Sequence, residues 1–235
     1  MDQHLDLKAV MAPDFHKKAI GIDQHILWKG SWRNSKSWKI CGVDGQQPIF
    51  DLYYKIINDL KQKAKSKNLW NFWLTDTETG HCLTTVEYAY LAEEMGKCRL
   101  GAEVFNCSAP DTGNMEVFER YGSLEHKEKW LKPLLNGDIR TAYCMTEPNV
   151  ASSDATNMSL SAIKQNDTYI LNGEKWWASG AGDPRCAVYI VMVKTGDHSA
   201  PKHQRHSMVI VPSKAKGVKI IRPMEVYGHD DAPHG

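Results

Sequence analysis

A run of small polar residues near the middle of the chain carries the most suggestive chemistry in this sequence. It extends from Tyr143 to Asp154 and reads Tyr-Cys-Met-Thr-Glu-Pro-Asn-Val-Ala-Ser-Ser-Asp. Pro148 bends the backbone out of a short strand-like stretch, and the N–H groups and serine hydroxyls that follow are donors suited to an anion or a polar ring. Clusters of this composition more often form ordinary turns. The run alone therefore predicts a loop and only permits a ligand site.

Helical patterns dominate the chain before this run. Apolar residues recur at helical spacing after Pro48 as far as Leu60, and the lysines over 61–67 favour the C-terminal end of such a helix. The aromatic stretch from Leu69 to Leu74 is better explained by core packing than by a cofactor box. A short helix over 5–18 is a further candidate, in a segment of about 46 residues with sparse apolar positions.

Capping residues predict three more helices. Thr84 to Glu87 is a capping box that opens a helix through Met95, with an apolar stripe of Val86, Ala89, Tyr90 and Met95. Asp111 or Thr112 caps the next helix, which ends at Gly122. Ser123 caps the last one, which is turned off around Pro133 and closed by Gly137. Short connections between these helices predict an antiparallel helical bundle.

The pattern changes from helical to strand-like near Thr141. Strand candidates occupy 141–146, 159–165, 168–171, 174–179, 187–194, 207–212 and 217–222. Asn172-Gly173 is the strongest hairpin signal, and Asn166-Asp167 indicates a second tight turn. Helices followed by strands predict an α+β protein, with an all-α bundle first and a separate β-domain after it. We expect a poorly defined segment over 1–46, a helical domain over 47–140 and a β-domain over 141–235.

The bulk properties exclude several classes of protein. The 235 residues are 42% hydrophobic and 24% charged with a net charge of +1, which gives no electrostatic reason to expect nucleic acid or an anionic membrane as a partner. No apolar run approaches the ~20 residues of a transmembrane helix. The six cysteines lack a C-x-x-C pair and indicate reduced thiols rather than a disulfide framework or a zinc site. No targeting signal stands out, so the sequence leaves the compartment open.

Several motifs together resemble the acyl-CoA dehydrogenase family. Residues 141–148 with Ser152-Ser153-Asp154 are similar to its first flavin-binding signature, and residues 172–180 are similar to the second. Residues 103–114, 183–186 and 227–235 resemble the subgroup that contains family members 10 and 11. The first signature departs from the family pattern E-P-G-x-G-S-D, because the loop here is one residue longer and has no glycine.

The resemblance implies an FAD-dependent oxidoreductase that carries out α,β-dehydrogenation of acyl-CoA thioesters. It also implies that the helical bundle is followed by an antiparallel β-barrel-like domain, which is incomplete in this chain. The backbone of Tyr143, Met145 and Thr146 and the Thr146 hydroxyl would approach the isoalloxazine ring. Trp177 would pack on the ring, Ser179 would lie near flavin N5, and Ser153 would lie by the flavin pyrophosphate or the CoA part of the substrate. Ser152 and Ala178 complete the predicted cofactor-binding set. The implied electron acceptor is an electron-transfer flavoprotein or oxygen. The family also implies a homo-oligomer in the mitochondrion or the peroxisome.

The resemblance also implies a carboxylate base in a C-terminal helical domain, and no residue of this sequence matches it. We therefore expect the chain to be a truncated form, with its base beyond Gly235, that binds FAD weakly and does not turn over. Glu147 is better explained as a turn residue, and Asp230 and Asp231 as loop residues. His203-x-x-His206 with His198 lacks a third ligand at a definite spacing, so we predict no metal site. The alternatives are a non-catalytic fragment that acts as a binding or oligomerisation partner, and a fold unrelated to flavin.

Overall fold

The computed structural model describes residues 39–40, 43–44, 47–74, 80–98, 100–196, 199–224 and 234–235, with the backbone only up to residue 53. The described residues form two compact units, divided between Ser108 and Ala109. The predicted helix over 5–18, together with His198, Asp230 and Asp231, lies outside the described residues.

The first unit contains the two-residue strands β1 (Lys39–Ile40) and β2 (Val43–Asp44) and the helices α1 (Gln47–Ser66), α2 (Thr85–Gly96) and α3 (Gly101–Val104). The predicted capping box is present, since Thr84 and Glu87 cap each other at the start of α2. Its predicted stripe is only partly buried, because Val86 and Tyr90 are exposed and Met95 is in the core. Phe72 is completely buried, as predicted for the aromatic stretch. The buried core comprises Ile57, Ala64, Leu69, Phe72, Met95, Val104, Phe105 and Cys107.

The second unit begins with helices. These are α4 (Asp111–Tyr121), α5 (Leu124–His126), a π-helical turn (Lys127–Leu131) and α6 (Lys132–Asn136). The prediction that Asp111 or Thr112 caps α4 is wrong, because Pro110 holds the cap position and the Asp111 side chain contacts Thr141 instead. The prediction that the last helix stops around Pro133 is also wrong. Pro133 lies within a continuous helical run from Leu124 to Asn136, just after the π-helical turn, and the helix passes through it. Gly137 ends this helix with φ 75°, as expected.

The rest of the second unit is built on β3 (Arg140–Cys144), β4 (Ser161–Gln165), β5 (Thr168–Asn172), β6 (Cys186–Lys194) and β7 (His206–Pro212). The strand order is β3-β6-β4-β5, and β7 also pairs with β6. The predicted α+β class is confirmed, but the sheet is mixed rather than wholly antiparallel because β3 and β6 run parallel. A long connection separates these two strands, and only such a crossover permits parallel pairing.

The buried core of this unit lies against β3 and β6. Its members are Ala142, Cys144, Leu160, Ala162, Ala178, Ala181, Cys186, Tyr189, Val191 and Val193. No disulfide joins the five described cysteines. Within the described stretches, none of the helices combines the length and the apolar character that a bilayer crossing requires.

The hairpin predictions have opposite outcomes. Asn166-Asp167 does connect β4 to β5, which pair in register from Ser161 with Asn172 to Gln165 with Thr168. The hairpin predicted at Asn172-Gly173 is wrong, because β5 ends there and Gly173 passes over Leu160. A Cβ on Gly173 would lie 2.8 Å from Leu160, so glycine serves a close approach rather than a turn between strands.

Two predicted strands are absent from the described chain. The stretch 174–179 is not a strand because Trp177 has φ 54°, which breaks the extended conformation, and only Ser179 makes an isolated bridge, to His234. The stretch 217–222 pairs with no described strand, and its Ile220 and Ile221 are exposed. Apolar composition alone therefore predicted two more strands than the described sheet contains.

Candidate functional site

The start of β3 is held in place by a buried polar cluster from α4. The Asp111 carboxylate accepts hydrogen bonds from the Thr141 backbone N–H at 2.7 Å and from its hydroxyl at 2.6 Å. Asn114 donates to the same hydroxyl at 2.8 Å, and Arg140 forms an ion pair with Asp111. Asp111, Asn114 and Thr141 are buried and hydrogen-bonded to one another, so they hold the start of β3 against α4.

Three of the predicted cofactor residues follow directly along this strand. Tyr143 lies in β3, and Met145 and Thr146 come immediately after its end; all three are partly buried. Burial raises the pKa of the Tyr143 phenol, so this group stays protonated across the physiological range. The backbone leaves the sheet after Cys144, and Met145 and Thr146 are therefore free of ladder pairing on the β6 side.

A buried ion pair joins the end of this strand to the second predicted segment. Lys175 Nζ lies 2.8 Å from Glu147 Oε1, and the two side chains are 8% and 1% exposed. The same ammonium donates to the Met145 carbonyl at 2.8 Å. Sequence reasoning did not single out Lys175, because nothing in its local pattern indicates a partner in a distant loop.

The Glu147 carboxylate is saturated with donors. It accepts from the Ser159 N–H at 2.8 Å, from the Ser159 hydroxyl at 2.5 Å and from the Leu160 N–H at 3.0 Å. Burial alone would raise the pKa of Glu147, but the hydrogen bonds from Lys175, Ser159 and Leu160 outweigh it and lower the pKa to about 2. Such a carboxylate is a poor proton acceptor, and Glu147 is a structural residue rather than a base.

The serines of the loop have different environments. The Ser152 hydroxyl oxygen is buried and accepts the Glu147 N–H at 2.5 Å, which closes the turn after Pro148. Ser153 is exposed. Asp154 accepts from the Thr156 N–H at 2.9 Å and thereby orders the next turn. The structure thus assigns Ser152 a role in the loop itself and leaves Ser153 on the surface.

The second predicted segment lies alongside the end of β3. The Trp176 N–H donates to the Thr146 carbonyl at 2.9 Å. Gly180, with φ 86°, lies so close to β3 that a Cβ would come within 2.5 Å of the Thr141 carbonyl oxygen. The left-handed Trp177 leaves its indole 41% exposed, with its ring centroid 6.4 Å from that of Trp176. A large apolar ring held at the surface in this way offers a face to a flat ligand.

Ser179 and Ala178 are held by residues that sequence reasoning missed. Ala178 and Gly235 exchange backbone hydrogen bonds at 3.0 and 3.2 Å. The Ser179 hydroxyl lies 3.0 Å from His234 Nδ1, and the His234 ring lies 6.4 Å from the Trp177 ring. No sequence pattern predicts a contact between Ser179 and His234, which lie far apart in the chain. The only indication was that His234 lies within the subgroup motif at 227–235.

Two of the histidines considered as metal ligands, His203 and His206, lie among the described residues. His203 lies in a short 3-10 turn (Lys202–Gln204) and His206 begins β7. In the part of the chain that the structure describes, no cluster of three or more His, Cys, Asp or Glu side chains has a geometry for a metal ion.

Comparison with known proteins gives two family matches in series. The N-terminal domain of acyl-CoA dehydrogenase matches residues 53–138, and the middle domain of acyl-CoA dehydrogenase matches residues 142–235. The chain therefore belongs to the acyl-CoA dehydrogenase family.

Curated relatives and solved structures agree with this assignment. Over 77% of the chain, it is 52% identical both to human acyl-CoA dehydrogenase family member 11 and to mouse family member 10. It spans 23% and 17% of the lengths of these two proteins. A putative acyl-CoA dehydrogenase from Mycobacterium abscessus is 42% identical with a TM-score of 0.82, over 97% of this chain and 54% of that one. A glutaryl-CoA dehydrogenase from Mycobacterium smegmatis in complex with FADH2 shares the fold, at 19% identity and a TM-score of 0.52 over 90% of this chain and 48% of that one.

Proposed function

We propose that this chain supplies one wall of an FAD site in an acyl-CoA dehydrogenase that desaturates acyl-CoA thioesters at the α,β position. One observation carries the proposal: the end of β3 and the segment after Gly173 lie side by side, joined by Trp176 N–H to Thr146 O and by Lys175 to Met145 O. This contact brings both family signatures into one place. The bound FADH2 of the mycobacterial glutaryl-CoA dehydrogenase supports the choice of cofactor.

The residues present fit a flavin. Thr146 and Ser179 carry hydroxyls, Trp177 offers a partly exposed indole, and Gly180 allows the segment to approach β3 closely. When bound, FAD would supply the hydride acceptor of the reaction. The hydroxyl and backbone N–H donors would stabilise the negative charge that reduction places on a flavin. Trp177 would cover the ring and exclude water, and exposed Ser153 would meet the pyrophosphate or the CoA part of the substrate.

The proton acceptor is not among the candidates that the structure places at this wall, since Glu147 is ion-paired and has a pKa of about 2. We propose that the base comes from the C-terminal helical domain of the family rather than from this wall. We further infer that the helical domain and the β-domain meet near residue 141. The two family matches, over 53–138 and 142–235, support this boundary. An electron-transfer flavoprotein or oxygen as acceptor, a homo-oligomer, and a mitochondrial or peroxisomal location are family expectations that complete the proposal.

Titration of FAD into the purified chain tests this function. We expect a perturbed flavin absorbance band and quenched flavin fluorescence, with weaker binding in Trp177→Ala and Ser179→Ala. Tyr121→Ala is the matched control, because Tyr121 is also an exposed aromatic residue but lies at the end of α4. Unchanged binding in both site variants, or acyl-CoA-dependent dye reduction by the chain alone at normal rates, would contradict the proposal.

A further inference from the structure

We propose that His234 is a positioning residue for the flavin site and acts through the Ser179 hydroxyl. The inference rests on the proposed function and adds to it a residue that no family signature described above assigns a role. Its basis is the 3.0 Å contact between Ser179 Oγ and His234 Nδ1, reinforced by the bridge between these two residues.

Backbone hydrogen bonds hold His234 and Gly235 in place. The Met224 N–H donates to the His234 carbonyl at 2.9 Å, and the neighbouring Gly235 exchanges two hydrogen bonds with Ala178. These bonds do not involve the imidazole. Substitution of the His234 side chain therefore leaves the backbone contacts intact, and the role of the ring can be tested without removing the segment.

The contact constrains a hydroxyl that would otherwise rotate. Ser179 is exposed, so its side chain can adopt any of three staggered rotamers unless a partner selects one. His234 Nδ1 selects the rotamer within hydrogen-bond reach and, in one tautomer, accepts the hydroxyl proton, which leaves the oxygen lone pairs for a donor on the ligand. In the other tautomer or the charged form, Nδ1–H donates and the hydroxyl proton is directed outward. In each case the hydroxyl reaches the ligand with a defined orientation.

The same imidazole contacts the second flavin residue. Its ring is 6.4 Å from the Trp177 ring at an angle of 54°, within the range of favourable aromatic contacts. His234 thus touches both Trp177 and Ser179, the two side chains of the second signature that are proposed to meet the ring. His234 therefore links the orientation of the Ser179 hydroxyl to that of the Trp177 ring.

The test separates the hydrogen bond from the ring contact with matched variants. His234→Asn keeps a polar atom near the Nδ1 position and loses the ring, whereas His234→Phe keeps a ring and loses the nitrogen. We expect His234→Phe and His234→Ala to raise the FAD dissociation constant about three- to tenfold, the range for loss of one hydrogen bond. His234→Asn should recover most of the affinity. Far-UV circular dichroism and thermal melting verify that each variant is folded.

A double-mutant cycle establishes that His234 acts through Ser179. In a Ser179→Ala background, adding His234→Phe should leave the FAD affinity, the flavin absorbance spectrum and the reduction potential unchanged, because phenylalanine keeps a ring beside Trp177 and the hydrogen bond is already absent. If the wild-type chain binds FAD and the His234 variants match it, the inference is wrong while the proposed function stands. If the wild-type chain binds no FAD, the proposed function fails and this inference fails with it.

Discussion

Glu147 and Lys175 form a buried ion pair in the second unit, and removing either partner should lower the free energy of unfolding. Both side chains are almost fully buried, and the carboxylate also accepts from Ser159 and Leu160. A buried charge that loses its partner keeps its desolvation cost without compensation, which makes breaking such a pair far more costly than never having formed it. The pair therefore links the loop that begins at Glu147 to the segment that contains Lys175, and loss of either charge leaves the other buried without its partner.

Removal of the ammonium alone should be strongly destabilising. We expect Lys175→Met to lower the free energy of unfolding by about 3 kcal/mol, measured by urea denaturation. The double variant Lys175→Met with Glu147→Gln should recover part of this loss, because the amide oxygen of glutamine can still accept from Leu160. A single variant within 1 kcal/mol of the wild type would show that the pair is not structurally important.

The lowered pKa of Glu147 predicts a specific acid sensitivity. Its pKa is about 2 in the folded chain and about 4.3 in an unfolded one, so the native state favours the carboxylate. The resulting stabilisation, on the order of 3 kcal/mol, is complete above about pH 5 and is lost as the pH falls toward about 2. We expect Glu147→Gln to flatten the pH dependence of stability in this window. Asp167→Asn is the control, since Asp167 is an exposed turn residue and asparagine suits the same turn, so the slope should stay nearly unchanged.

At the level of single residues, sequence patterns predicted two segments that lie side by side in the structure, but they did not predict the side-chain contacts made there. Tyr143, Thr146, Trp177 and Ser179 follow from the family signatures. The contacts of Lys175 with Glu147 and of Ser179 with His234 do not, because each joins side chains whose separation in the chain has no fixed period. Only the folded backbone brings such groups within hydrogen-bond distance.

Among the elements of the structure, two of the three predicted helix caps are confirmed and the cap at Asp111 or Thr112 is not. Thr84 and Ser123 both cap helices, because a local side-chain-to-backbone bond depends on residues three positions apart. The strand predicted at 174–179 fails for the opposite reason. Its composition favours a strand, but the left-handed conformation of Trp177 is set by contacts with β3 and the segment around His234.

A substitution at Gly180 tests whether residues 174–181 must lie as close to β3 as they do in the structure. Gly180→Ala combines a left-handed φ of 86° with a Cβ that would lie 2.5 Å from the Thr141 carbonyl oxygen. We expect a loss of about 2–4 kcal/mol in the free energy of unfolding. Gly217→Ala is the matched control: its φ is 94°, but no heavy atom lies within 4 Å of the added Cβ, so the expected cost is about 1 kcal/mol. Equal losses would show that the close approach is unimportant.

For the whole molecule, the order of helices and strands was predictable and the sheet topology was not. The α+β class follows from the change of period near Thr141. Parallel pairing of β3 with β6 could not be inferred, because alternation of apolar residues defines a strand but not its neighbour or its direction. The division into compact units was likewise hidden, since α4 groups with the sheet through Asp111 and Thr141.

The placement of all proposed flavin contacts in the second unit gives a prediction for the whole chain. Hydrogen–deuterium exchange with and without FAD should show slowed exchange concentrated at 143–154 and 175–181, with helix α1 as the internal reference. Ligand binding stabilises most strongly the region whose opening would release the ligand. Protection confined to α1 would mean that the flavin site lies elsewhere.

The parallel pairing of β3 with β6 also constrains the order in which this fold can form. The β4–β5 hairpin closes over the short turn at Asn166-Asp167 and depends only on nearby residues. In contrast, β3 pairs with β6, and β6 is synthesised only after the β4–β5 hairpin and residues 173–185. High contact order of this kind slows folding and leaves a strand edge exposed in the nascent chain. The apolar residues of β3 are thus the part of the chain most dependent on timely completion of β6.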